Sequence, residues 1–298
     1  MDRRKNHKKD HLRPEKDHQC CHFLTRIAFL FILFLVIVHG SLSVVSAQDL
    51  IPVRNYAFVR GEKFKFRAYY DSFVTGKVTA GVATLEVKSD NKQFSGRNTF
   101  HVIGEGKSKG AFNLFFKVED RFETYIDEEY LVPWYFTRSS REGDFAKDDE
   151  VRFNQYSKTA SSRTANKPVP PGIQDIISAF YFARNIDFSC AKNGDTYPIN
   201  FFLDDSVYIS VIQFAGREEV ETDLGRFRCL KFKPMVVTGN VFSQPYPMDI
   251  WISDDSNRIP VLARSEVIVG SVKLELIHFQ GLANPLTSLT GSNGTGSK

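Results

Sequence analysis

Apolar and polar residues alternate along much of this chain, and the alternation has the period of a strand. Residues 63–70 (KFKFRAYY) begin by alternating polar and aromatic positions. Over 116–126 the pattern is long. Phe116, Val118, Asp120, Phe122, Thr124 and Ile126 share one face, and Lys117, Glu119, Arg121, Glu123 and Tyr125 share the other. Period two over that length predicts an antiparallel strand with one buried face. Val207, Ile209 and Val211 repeat it, as do Val272, Leu274 and Leu276. Turn-forming clusters separate these runs: Ser89-Asp90-Asn91, residues 192–195 (KNGD) and residues 254–257 (DDSN).

One stretch changes period. After the proline-rich residues 168–172, positions Ile173, Ile176, Ile177, Phe180, Tyr181 and Arg184 recur at helical spacing. Proline can precede a helix but not sit inside it. A helix over 173–184 therefore divides two strand-rich halves, near 55–165 and 195–282. The expected fold is mainly β, a curved antiparallel sheet or open barrel whose apolar face is covered by one central helix.

The N-terminal end is of another kind. Residues 1–26 are polar and mostly basic, residues 27–38 (IAFLFILFLVIV) are apolar throughout, and small residues lead to Val45-Ser46-Ala47. This order reads as a secretory signal cleaved before Gln48. The apolar run is shorter than the ~20 residues a membrane span needs. An uncleaved anchor over 27–45 is the competing reading. No cysteine lies just after the apolar run, so no lipid attachment site is expected. The division is then a signal over 1–47, one strand-rich domain over 48–283, and a disordered tail over 284–298 rich in glycine and serine.

Charge follows this division. The chain carries 39 basic and 35 acidic residues. Residues 1–47 hold eight of the former and four of the latter, leaving 31 of each beyond the signal. A neutral domain offers no electrostatic reason to bind nucleic acid. With the signal removed, no stable membrane span is expected, and the protein is placed in the periplasm or outside the cell.

Several short segments resemble the bacterial exported proteins grouped as domain of unknown function 3108. They include Gly61-Glu62-Lys63, residues 118–121 (VEDR) followed by Tyr125-Ile126-Asp127, and Arg141-Glu142-Gly143. The helical residues 175–181 and Gly225-Arg226-Phe227 belong to the set. So do residues 248–251 (MDIW), Asp254-Asp255 and Arg258-Ile259-Pro260. The resemblance spans about residues 55–282. It implies no catalytic residues, and it suggests an open β-barrel of the lipoprotein-carrier type by analogy of fold alone.

The chemistry within the domain is sparse. Only His101 and His278 lie beyond the signal, and no spacing fits a zinc or calcium site, so no metal or cofactor is expected. Residues 106–110 (GKSKG) match the nucleophile-elbow pattern around Ser108. The sequence after Gly110 leads toward a strand rather than a clear helix, and a flexible turn is the expected reading. Cys190 and Cys229 could pair in an oxidising compartment, but Cys229 sits between Phe227 and Leu230 like a small core residue, so free thiols are expected. Asp120 falls on an apolar face and needs a partner. Arg184, ending the helical stripe, is the expected one.

These observations point to a non-enzymatic envelope protein. The first expectation is a binder of an apolar or lipid-like ligand between sheet and helix, with Asp120, Ile177, Phe180, Tyr181 and Arg184 as candidate contacts. The alternative is a structural or protein-interaction factor of the periplasm or envelope.

Overall fold

The computed structural model describes residues 50–73, 76–110, 112–236, 248–266 and 271–292. The expected signal lies outside them. The first half contains β1 (Lys63–Ser72), β2 (Gly76–Val87), β3 (Lys92–Phe94), β4 (Arg97–Ser108) and a one-turn helix, α1 (Phe112–Phe115). It continues with β5 (Val118–Asp127), β6 (Pro133–Glu142), β7 (Phe145–Asn154), β8 (Thr159–Ser161) and β9 (Asn166–Pro168). Helix α2 (Ile176–Ala183) follows, then β10 (Thr196–Pro198) and the short strands β11 (Phe201–Leu203) and β12 (Ser206–Tyr208). The second half is completed by β13 (Ser210–Thr222), β14 (Gly225–Val236), β15 (Asp249–Ser253), β16 (Pro260–Glu266), β17 (Ser271–Gln280) and β18 (Leu289–Ser292).

The main sheet is antiparallel and open. Its order is β10-β13-β14-β15-β16-β17-β1-β2-β4-β5-β6-β7-β8-β9, with β18 added to β14 and β3 to β4. The two halves meet where β17 pairs with β1, from Lys63↔Gln280 to Asp71↔Ser271. The chain between the two sheet edges, β9 and β10, carries α2. The fold is the one the alternation predicts, a large uncapped antiparallel sheet with a helix packed on its apolar face.

Local chemistry fixes that helix. Asp175 is its N-cap and accepts from the amides of Ile177 and Ser178, both at 2.8 Å. The Ser178 hydroxyl accepts in return from the Asp175 amide at 2.8 Å, completing a capping box. The Thr124 hydroxyl of β5 also donates to Asp175, tying the start of α2 to the sheet. Gly104 of β4 allows close approach: a Cβ there would lie 3.4 Å from Ile177 Cδ1. Ile177 and Tyr181 pack with Phe58, Phe100, Val102 and Ile126 in one of four apolar clusters.

Several expectations need correction. The helix begins at Ile176, because Asp175 ends the extended segment, and Ile173 lies in the core against Phe136 and Phe202. Phe116 precedes β5 and is exposed, packing edge-on against Phe112 of α1. Val207, Ile209 and Val211 do not share a strand. Ile209 lies exposed between β12 and β13, and only the period is continuous. The tail does not begin at Asn284: its amide donates to Asn257 Oδ1 at 2.8 Å, and β18 pairs with Gly225 to Phe227 of β14. Residues 293–298 lie outside the described set.

Candidate functional site

Helix α2 stands over the sheet without filling the space beneath it. A cavity of about 330 Å³ lies on one side of Phe180, lined by residues of seven strands that include Phe66, Leu85, Phe122, Leu262 and Leu274. Asp120 is at its wall. A second cavity, of about 400 Å³, lies between the helix, β13–β15 and the β11–β12 hairpin. Ile176, Ala183, Phe201, Tyr208, Ile212 and Ile252 contribute to it. Phe180 and Ile250 border both. Each volume is at the lower end of the ~300–1,000 Å³ typical of small-molecule sites, and both linings are mainly apolar.

The five candidate residues divide between this space and the core. Phe180 borders both cavities, Asp120 the first and Arg184 the second. Ile177 and Tyr181 point into the packed cluster against β4 and β5. The expected Asp120–Arg184 ion pair is not formed. Asp120 is half-exposed and accepts from the Arg141 amide at 3.2 Å. Arg184 instead binds Glu62 through both terminal nitrogens, at 2.6 and 2.7 Å. Its remaining N–H groups reach the carbonyls of Ala57 and Asn257, and its guanidinium lies within 5.7 Å of the rings of Phe58, Phe64, Phe180 and Tyr181. Burial opposes the Arg184 charge, but Glu62 outweighs it and holds the guanidinium above its ordinary value. A fully buried pair satisfied in this way fixes the helix end.

A second charged group sits near the other end of the cavities. In β6, Phe136, Arg138 and Ser140 share a face, and Phe136 belongs to the cluster that holds Phe202 of the hairpin. Arg138 is opposite Phe122 on one side and Asp149 on the other. It donates to Asp204 at the hairpin tip, as does Lys147 of β7. Burial would raise the Asp204 carboxyl; the two cations outweigh it and hold it below the usual aspartate value. Nothing in the sequence marked Arg138, which lies in the polar run Thr137-Arg138-Ser139-Ser140.

The remaining candidates make local contacts within the framework. The Ser108 hydroxyl donates to Asn113 Oδ1 at 2.6 Å and accepts from the Val118 amide at 2.8 Å, so it pins the α1 turn to β5. His101 stacks on Tyr125 at 4.4 Å, with Asp90 and Glu123 beside its two nitrogens at 3.0 and 3.2 Å. Cys190 is exposed and Cys229 buried, both as free thiols, and burial pushes Cys229 up to about 12. Among the described residues no group of three or more His, Cys, Asp or Glu gathers to hold a metal ion. Among them, too, no helix is long and apolar enough to cross a membrane, which says nothing of strands.

Residues 65–277 match the family described as protein of unknown function (DUF3108). The chain belongs to this family. No curated protein matches it. A β-barrel-like protein of domain of unknown function DUF1849 from Brucella abortus is similar in structure, with TM-score 0.50 and 9% identity over 75% of this chain and 98% of that one. A candidate lipoprotein from Parabacteroides distasonis gives TM-score 0.37 and 12% identity over 76% and 100%. A candidate exported protein with a YmcC-like fold from Bacteroides fragilis gives 0.34 and 11% over 76% and 99%. The first likeness shows a barrel-like fold, and the two looser ones carry no argument.

Within this DUF3108 chain, the segments behind the resemblance do framework work. Glu62 holds Arg184. Asp127 accepts from Trp134 Nε1 and the amides of Glu129 and Tyr130 at 2.8–3.0 Å, and pairs with Arg97. Asp255 accepts from Ser253, Asn257 and Ser288, while Arg258 donates to the Arg184 carbonyl at 3.1 Å. The DUF3108 motifs therefore place the helix and the loops around it, and through Asp120, Phe180, Met248, Ile250 and Pro260 they also reach the cavity walls.

Proposed function

We propose that this protein is an exported factor of the cell envelope, periplasmic or secreted, that holds an apolar, lipid-like ligand between its sheet and α2 and catalyses no reaction. The observation that carries this reading is the pair of apolar cavities on either side of Phe180. A domain whose only purpose was rigidity would gain by filling that space, since interiors are close-packed and each void forfeits dispersion contacts. The basic and apolar start of the sequence supports the address.

Mass spectrometry of solvent extracts from natively purified protein tests the reading. The expected result is an amphiphile in near-stoichiometric amount, lost from Phe180→Trp, whose larger ring intrudes on both cavities. An extract free of lipid, together with no binding of Nile red to the stripped protein, would overturn it.

A further inference from the structure

We propose that Arg138 and Lys147 form the head-group end of this site, and that the ligand is a single-chain amphiphile ending in a carboxylate, which displaces Asp204 from the two cations. The proposal rests on the reading that the cavities hold an apolar ligand and adds its polar end.

Arg138 lines neither cavity itself but has a neighbour in the wall of each. Its register neighbour Phe122 lines the first, and its ion-pair partner Asp204 lines the second. Its side chain is only 10% exposed, and its Nε is buried with no acceptor. A buried donor without a partner costs free energy, and an Arg fork is made to take a carboxylate through two parallel N–H bonds. Asp204 engages one terminal nitrogen of that fork and must also serve Lys147, while Asp149 stays 3.9 Å away. A free carboxylate that takes the place of Asp204 at the wall of the second cavity can turn to use Nε as well.

Asp204 is presented there by a tight turn. Asp204 and Asp205 form the two-residue tip of the β11–β12 hairpin, and both have positive φ, 51° and 56°. That turn conformation favours glycine and asparagine and admits aspartate, most readily at its first position, so the pair Asp204-Asp205 has less freedom than glycine would give it. The hairpin is a separate two-stranded sheet, not part of the main one, and its Phe201, Leu203 and Tyr208 face the second cavity. It is a flap over the apolar space, latched at its tip by a carboxylate of the protein's own. The volumes suit one acyl chain, and the latch itself shows which head group the cations accept.

The test uses delipidated mature protein, beginning at Gln48, loaded with Nile red and displaced by oleate or by oleyl alcohol. Oleate is expected to displace the dye at about tenfold lower concentration, the scale of one charge-assisted hydrogen bond. R138M and K147M should each weaken oleate about tenfold while leaving oleyl alcohol within about twofold, and D204N should strengthen oleate. Thermal unfolding midpoints separate misfolding from lost binding. Should R138M fail to fold, raised salt on the wild type serves instead, since it must narrow the gap between oleate and the alcohol. Nile red binding with equal displacement by both lipids would overturn the head-group proposal and leave the apolar ligand standing. No Nile red binding at all would overturn both.

Discussion

Arg184 borders the second cavity and Arg138 holds Asp204 in its wall, yet one largely buried guanidinium is used up and the other is not. Arg184 spends its donors on Glu62 and on two backbone carbonyls, and its faces on four aromatic rings. Arg138 keeps a buried Nε without a partner and shares its one close carboxylate with a lysine. The first arrangement anchors a helix between distant parts of the chain. The second is held by the two-residue tip of a separate hairpin. A charge whose hydrogen bonds are complete has little left to offer a ligand, so the incomplete one marks where binding can occur.

The sharpest way to break the comparison is to remove Arg184. Arg184→Ala leaves Glu62 buried without its cation and should cost about 3–5 kcal/mol, read from denaturant midpoints. R138M should cost clearly less in the same assay. Equal costs would mean that the two ends have the same role.

The helix offers a second contrast between neighbours. Tyr181 is fully buried, and Tyr181→Ala should fall in the range of about 3–5 kcal/mol for a packed aromatic. Phe180 has open space on both sides, and Phe180→Ala should cost only about 2 kcal/mol while changing which lipids co-purify. Matching losses for the two variants would show that the cavities are closed in solution.

Smaller effects sharpen the picture. Gly281 has φ +69°, and a Cβ there would meet the Gly61 carbonyl oxygen at 2.3 Å, next to Glu62. Gly281→Ala should lower stability by more than about 1 kcal/mol, through strain at the Arg184 end alone. Asp204 gives the smallest change. Its folded pKa lies below its unfolded one, so its ion pairs contribute fully above the ordinary aspartate value of ~3.9 and are lost as pH falls through the lowered value. Because the group is partly exposed, the contribution should be about 1 kcal/mol or less. Titration of unfolding midpoints against D204N, which should lack this acid-side loss, measures it.

Much of the framework was legible in the chain. The alternation over 116–126 predicts β5 almost to its ends, and the change of period at 173–184 predicts α2. Arg184 was legible as an important residue but not its partner. Asp120 is on the correct face, whereas Glu62 lies in a turn before β1, where nothing local signals burial. The flap was hidden because period two runs on through Val207, Ile209 and Val211, although the backbone breaks at Ile209. Arg138 was hidden by company: beside Ser139 and Ser140 it reads as part of a solvated face, although it shares its face with buried Phe136 and Ser140. The unfilled space on either side of Phe180 has no sequence pattern, because it is a property of what the side chains fail to reach.

The seam between β1 and β17 bears on how the molecule comes into being. β1 pairs with β2 on one side and with β17 on the other, so one of its edges stays bare until residues near the end of the chain have been made. Contacts this distant in sequence form slowly, and an unpaired strand edge is a template for the wrong neighbour. Until β17 docks, the early strands are an unfinished sheet with an apolar face and an open margin. Growth from the N-terminus therefore passes through its most aggregation-prone stage just before completion, and the last long strand is the one that stitches the two halves of the sheet together.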